Sequence, residues 1–118
     1  MKYFFIVLTY LFLLIAFPVL AAKPVPITSC RTINESGNYR LMNNISKDGA
    51  RCLEIKDVDG VNVDCDNFSV TGPYYPISIK NVNKFSLKSC NATAPIFVPL
   101  LIEGSSNGKI ERSSFKGI

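Results

Sequence analysis

Residues Cys52–Phe68 read CLEIKDVDGVNVDCDNF, and this stretch sets the plan of the chain. It holds an apolar pair at Leu53 and Ile55, a polar corner, a second pair at Val61 and Val63, and then Asn67-Phe68. The pattern returns 24 residues later as Ile77 and Ile79, Phe85 and Leu87, and Asn91-Ala92. It returns after 23 more as Leu100 and Ile102, Ile110, and Ser114-Phe115. A weaker copy lies 22 residues upstream at Cys30, Ile33, Tyr39, Leu41 and Asn44-Ile45. Four copies at a period of 22 to 24 residues mark a repeat architecture.

Within each copy the apolar residues sit two apart, the period of a strand with one face buried. They are mainly Val, Ile, Leu and Phe, which fit a pleated surface, and no window carries a helical stripe. Between the pairs lie Asp57, Asp59-Gly60, Asn81, Asn83 and Ser105-Ser106-Asn107-Gly108, residues that form corners. Each copy is therefore a coil of short strands. Equivalent strands of successive coils lie above one another in parallel, which predicts an all-β, right-handed parallel β-helix of about four coils. Three inward columns are expected: Ile33, Ile55, Ile79, Ile102; Leu41, Val63, Leu87, Ile110; and Ile45, Phe68, Ala92, Phe115. A leucine-rich repeat has an overlapping period. It needs only one strand per repeat, however, and does not account for the second apolar pairs at 53/55, 77/79 and 100/102.

Lys2 followed by the apolar run Phe4–Phe17, Pro18 and the small-residue exit Val19-Leu20-Ala21-Ala22 reads as a secretory signal peptide over residues 1–22. An uncleaved anchor is the alternative. Residues 23–29, with Pro24 and Pro26, read as an extended lead-in, and residues 30–118 as the repeats. Without Lys2 the chain has 12 basic and 9 acidic side chains, scattered rather than clustered, which argues against nucleic acid as a partner. The absence of His removes His-based catalysis and most zinc or copper sites.

Cys30, Cys52, Cys65 and Cys90 form an even set, as disulfides in an exported chain do. Cys30 and Cys52 hold the same repeat position and would stack about 4.8 Å apart, within disulfide reach. Cys65 and Cys90 remain to pair, although their offset of 25 is one residue out of register. Cys65 as a small buried apolar residue is the other reading.

The patterns C-x-x-I…G-x-Y-x-L (Cys30, Ile33, Gly37, Tyr39, Leu41) and C-L-x-I…G-V-x-V-D-C (Cys52 to Cys65) resemble secreted parallel β-helix proteins of the NosD-like and pectin-lyase-like superfamily, with carbohydrate-binding and sugar-hydrolase repeats. The resemblance spans Cys30 to Ile118. It implies the fold far more than an activity, since that superfamily hosts lyases, hydrolases, adhesins and non-catalytic binders.

Asn44, Asn67 and Asn91 precede the third column and suggest an inward asparagine ladder, a feature of many members of the resembled fold. All three also open N-x-S/T acceptor sequences, as does Asn34, which lies off the ladder and is the glycosylation candidate. Glu35, Asp57 and Asp59 make a candidate calcium corner, against the reading of an ordinary solvated turn. Asp64, Lys88 and Glu111 share an outward column of alternating sign, suited to cross-strand pairing. Tyr74 and Tyr75, in a proline-flanked loop, are a candidate ligand-contact loop.

The sequence ends on an apolar position with no capping segment, which fits a β-helix that continues or one that pairs with another copy. The functional expectation is a secreted, periplasmic or cell-surface module, structural or carbohydrate-associated and without catalysis of its own. The N-terminal coils of a polysaccharide lyase or glycoside hydrolase, or an assembly protein stacking end to end, are the alternatives. Polysaccharide or another β-helix is the expected partner, with the membrane touched only through the leader.

Overall fold

The computed structural model describes residues 23–117 apart from Ala50. The leader expected over residues 1–22 lies outside the described residues. The rest is all-β: parallel strands stack into a β-solenoid of about four turns, with no helix among the described residues. The lead-in contains β1 (Val25–Ile27). The first coil is β2 (Arg31–Ile33), β3 (Gly37–Leu41) and β4 (Ile45–Ser46). The second is β5 (Arg51–Asp64) and β6 (Ser69–Thr71), and the third is β7 (Tyr75–Lys88) and β8 (Asn91–Thr93). The fourth is β9 (Leu100–Glu103), β10 (Ser106–Glu111) and β11 (Ser114–Lys116).

One sheet runs β1-β3-β5-β7-β10, with β2 beside β5 and β9 beside β7; the other runs β11-β8-β6-β4. β5 and β7 each carry both apolar pairs on one bent strand of 14 residues, paired in register over almost their whole length. Each coil also adds a strand to the second parallel sheet, which a repeat with a single strand would not do, so the leucine-rich alternative falls.

The bends follow from residue chemistry. Asp57, Asn81 and Gly104 occupy one column and all have positive φ, at 53°, 54° and 57°. Gly60, Lys84 and Asn107 repeat this one corner on, at 76°, 65° and 55°. Asp, Asn and Gly tolerate this left-handed region best, which is why the polar corners fall where they do.

The core is the stack of inward side chains. Ile33, Ile55 and Ile79 lie in the expected column and are at most 1% exposed. Ile102 completes that column but is 41% exposed, because β9 pairs only with β7. The other two columns need correction. Val63 and Leu87 stack on Tyr39 rather than Leu41, because Tyr39 pairs with Val63. Leu41 pairs instead with Ile27 of the lead-in. The cause is the first coil's corner, which is two residues shorter between Ile33 and Gly37 than between Ile55 and Val61. In the third column Val70, not Phe68, lies between Ile45 and Ala92. Asp66 and Asn67, both at positive φ, are two extra residues that swing the chain around this corner.

Both disulfides are formed, Cys30–Cys52 with Cα atoms 4.6 Å apart and Cys65–Cys90 at 4.8 Å. The second absorbs its odd offset because Ser89, at φ 53°, turns the chain so that Cys90 comes beneath Cys65.

Candidate functional site

The outer face of β3, β5, β7 and β10 is flat and polar. Its alternate residues point away from the core and, by register, form two columns. The first is Asn38, Asn62, Ser86 and Lys109; the second is Arg40, Asp64, Lys88 and Glu111. The Asn62 amide donates to Asn38 Oδ1 at 2.9 Å, so the two carboxamides share one orientation. Pro24, Asn38, Tyr39, Asn62, Val63, Asp64, Ser86 and Lys88 line a shallow cavity of about 170 Å³ whose wall is mostly apolar. Strand stacking sets donors and acceptors about 4.8 Å apart along each column.

Charge alternates down the second column, as expected from the sequence, with Arg40 added at its head. Arg40 reaches sideways, its Nη2 donating to Asp66 at 2.8 Å. That hydrogen bond, with the charge of Asp66, raises the pKa of the guanidinium. Lys109 and Glu111 pair within β10 at 2.6 Å. The hydrogen bond and the opposite charge raise the pKa of Lys109 and lower that of Glu111.

The asparagines proposed as an inward ladder do not form one. Ser69, not Asn67, is the neighbour of Asn91, and Ser69 N donates to Asn44 Oδ1 at 2.9 Å. Asn67 sits in the corner and accepts from Asn91 Nδ2 through its backbone carbonyl at 3.0 Å. Asn44 and Asn67 are exposed and Asn91 half-buried, so none points into the core. The amide ladder occurs at the other corner instead. Asn81 Nδ2 donates to Asp57, Asn83 N donates to Asp59, and Asn107 Nδ2 donates to Asn83 Oδ1 at 2.7 Å.

Those bonds also involve two residues of the candidate calcium corner. Asp57 and Asp59 serve the next coil, Glu35 contributes its carbonyl to the Tyr39 hydroxyl at 2.7 Å, and no three His, Cys, Asp or Glu side chains converge among the described residues. Asn34 is exposed in the turn between β2 and β3.

Tyr74 and Tyr75 do come together, around a residue not singled out from the sequence. Phe97 lies 6.4 Å from Tyr74 and 5.3 Å, edge-on, from Tyr75, ring centre to ring centre. Asn38 and Asn62 were missed as well. Their signal was present: an asparagine between two inward residues in each of two adjacent coils, G-N-Y and V-N-V.

Compared with known proteins, the chain matches no family model, no curated protein and no solved structure.

Proposed function

We propose that the chain is an exported, non-catalytic β-solenoid module that binds an extended polysaccharide along its polar strand face, and that it is a distant member of the NosD-like and pectin-lyase-like superfamily. The observation that carries this reading is the pair of outward polar columns in register, Asn38, Asn62, Ser86, Lys109 and Arg40, Asp64, Lys88, Glu111. A linear sugar chain offers hydroxyls at regular intervals, and a column of amides and hydroxyls on a rigid sheet meets them without reorganising. Two disulfides fit an oxidising compartment outside the cytoplasm and keep the face rigid.

The test is retention on a panel of insoluble neutral and acidic polysaccharides. The protein is expected to be retained without releasing sugar. Replacing both Asn38 and Asn62 by Ala should weaken retention about tenfold, the loss of two hydrogen bonds. Equal retention of parent and variant, or product release by the parent, rejects the reading.

A second reading, end-to-end assembly, is favoured by the last coil. Ile102 and Ile110 are 41% and 43% exposed, whereas their neighbours Ile79 and Leu87 are buried. Light scattering over a concentration series tests it: Ile110→Lys should abolish any association, and a parent that stays monomeric at high concentration rejects it.

A further inference from the structure

Two loops of adjacent coils, 72–76 and 94–99, meet at the start of β7, at the far end of its first arm from the Asp57/Asn81 corner. Their tip is apolar and exposed: Tyr74 43%, Ile96 51%, Phe97 51% and Val98 40%. Its backbone is unusual for an exposed loop. Ala94 N donates to Lys116 O at 2.9 Å, and Ile96 N and Phe97 N both donate to Pro73 O, at 3.1 and 3.0 Å. Pro95 and Pro99 have no N–H to offer. Most donors of the 94–99 segment are thus spent inside the protein or absent. That suits a surrounding that cannot hydrogen-bond, because a bare N–H in hydrocarbon costs several kcal/mol.

Two lysines lie on the coils that flank the tip. Lys47 N bonds Thr71 O, which seats Lys47 on the coil below the 72–76 loop. Arg51 pairs in register with Tyr75, and Lys116 with Thr93. Lys47 and Lys116 are exposed, whereas the Arg51 guanidinium is turned toward Glu54, 3.8 Å away, and Asp48 follows Lys47.

We infer that this tip docks on an anionic lipid surface, with Ile96, Phe97 and Val98 entering the interface and Lys47 and Lys116 meeting the headgroups. Aliphatic Ile96 and Val98 offer no π face to a sugar ring, and most of the amides a polar ligand would use are already occupied. Among the described residues no helix is long and apolar enough to cross a membrane. It departs from the expectation that only the leader meets lipid, and it is independent of the polysaccharide face.

The chain has no Trp, so Phe97→Trp places a single reporter in the tip without touching the leader. With vesicles of phosphatidylcholine and phosphatidylglycerol, its emission should shift to the blue and be quenched by acyl-brominated lipid. Pure phosphatidylcholine and high salt should both suppress the shift. Met42→Trp, on an exposed site away from the tip, should not respond. Adding Lys47→Glu and Lys116→Glu to the reporter should weaken the response at least fivefold for each charge. No shift, the same shift at both reporters, or equal response to neutral vesicles overturns the proposal. A shift caused by oligosaccharide alone, or by protein concentration without vesicles, also overturns it and assigns the tip to sugar or to a second copy. Non-reducing peptide mapping confirms that each variant keeps both disulfides.

Discussion

Gly108 faces Phe85 across the third and fourth coils, and the Phe85 ring fills the space that a Cβ on residue 108 would need. Val61 precedes Phe85 in the same column and Gly108 follows it, so the bulk of one coil is matched by the absence of a side chain in the next. Gly108→Ala should destabilise the fold by about 1–3 kcal/mol through overpacking. Urea denaturation measures this, and adding Phe85→Leu should recover part of the loss if the clash is its cause.

The isoleucine column tests how stability is spread along the solenoid. Ile55 is fully buried between two neighbours, so Ile55→Ala should cost about 2–5 kcal/mol. Ile102 has the same position in the repeat but is 41% exposed, and Ile102→Ala should cost less than half as much. Equal losses would mean that the last coil is covered in solution.

Each disulfide closes a loop between adjacent coils, with separations of 22 and 25 residues. Opening either one should cost about 3 kcal/mol by the chain-entropy argument. Thermal melting of Cys30→Ala/Cys52→Ala and of Cys65→Ala/Cys90→Ala, with peptide mapping of the remaining bridge, checks both the pairing and its weight.

Lys109 and Glu111 predict a defined pH response. The carboxyl of Glu111 is held below the ordinary Glu value by Lys109, so its contribution is present above the unfolded pKa and fades as pH falls through the lower folded one. Lys109 is raised, so its contribution is present below its unfolded pKa and is lost as pH rises through the folded value. Lys109 is exposed and Glu111 partly so, and salt should weaken the effect. An NMR titration should show the Glu111 pKa returning toward the ordinary value in Lys109→Ala.

Calcium should leave the melting temperature unchanged, because Asp57 and Asp59 are engaged with Asn81 and Asn83 of the next coil. A calcium-dependent rise that disappears in Asp57→Ala/Asp59→Ala would restore the metal corner.

The sequence by itself determined the coil, its period, its inward and outward faces and the first disulfide. Alternation of two makes Leu53, Ile55, Val61 and Val63 inward whatever lies beside them, and Asp, Asn and Gly mark the corners through their tolerance of positive φ. Only the tertiary structure decided which coil residue lies over which. Leu41 gave way to Tyr39, Phe68 to Val70 and Asn67 to Ser69, and each displacement is two residues. A slip of one turns a strand inside out and is visible in its pattern, but a slip of two keeps every side chain on its own face. Hydrogen bonding to the neighbouring coil, and corners that gain or lose two residues, settle that choice. For the same reason the Phe97 tip emerged only when the coils were stacked: it joins residues from different coils.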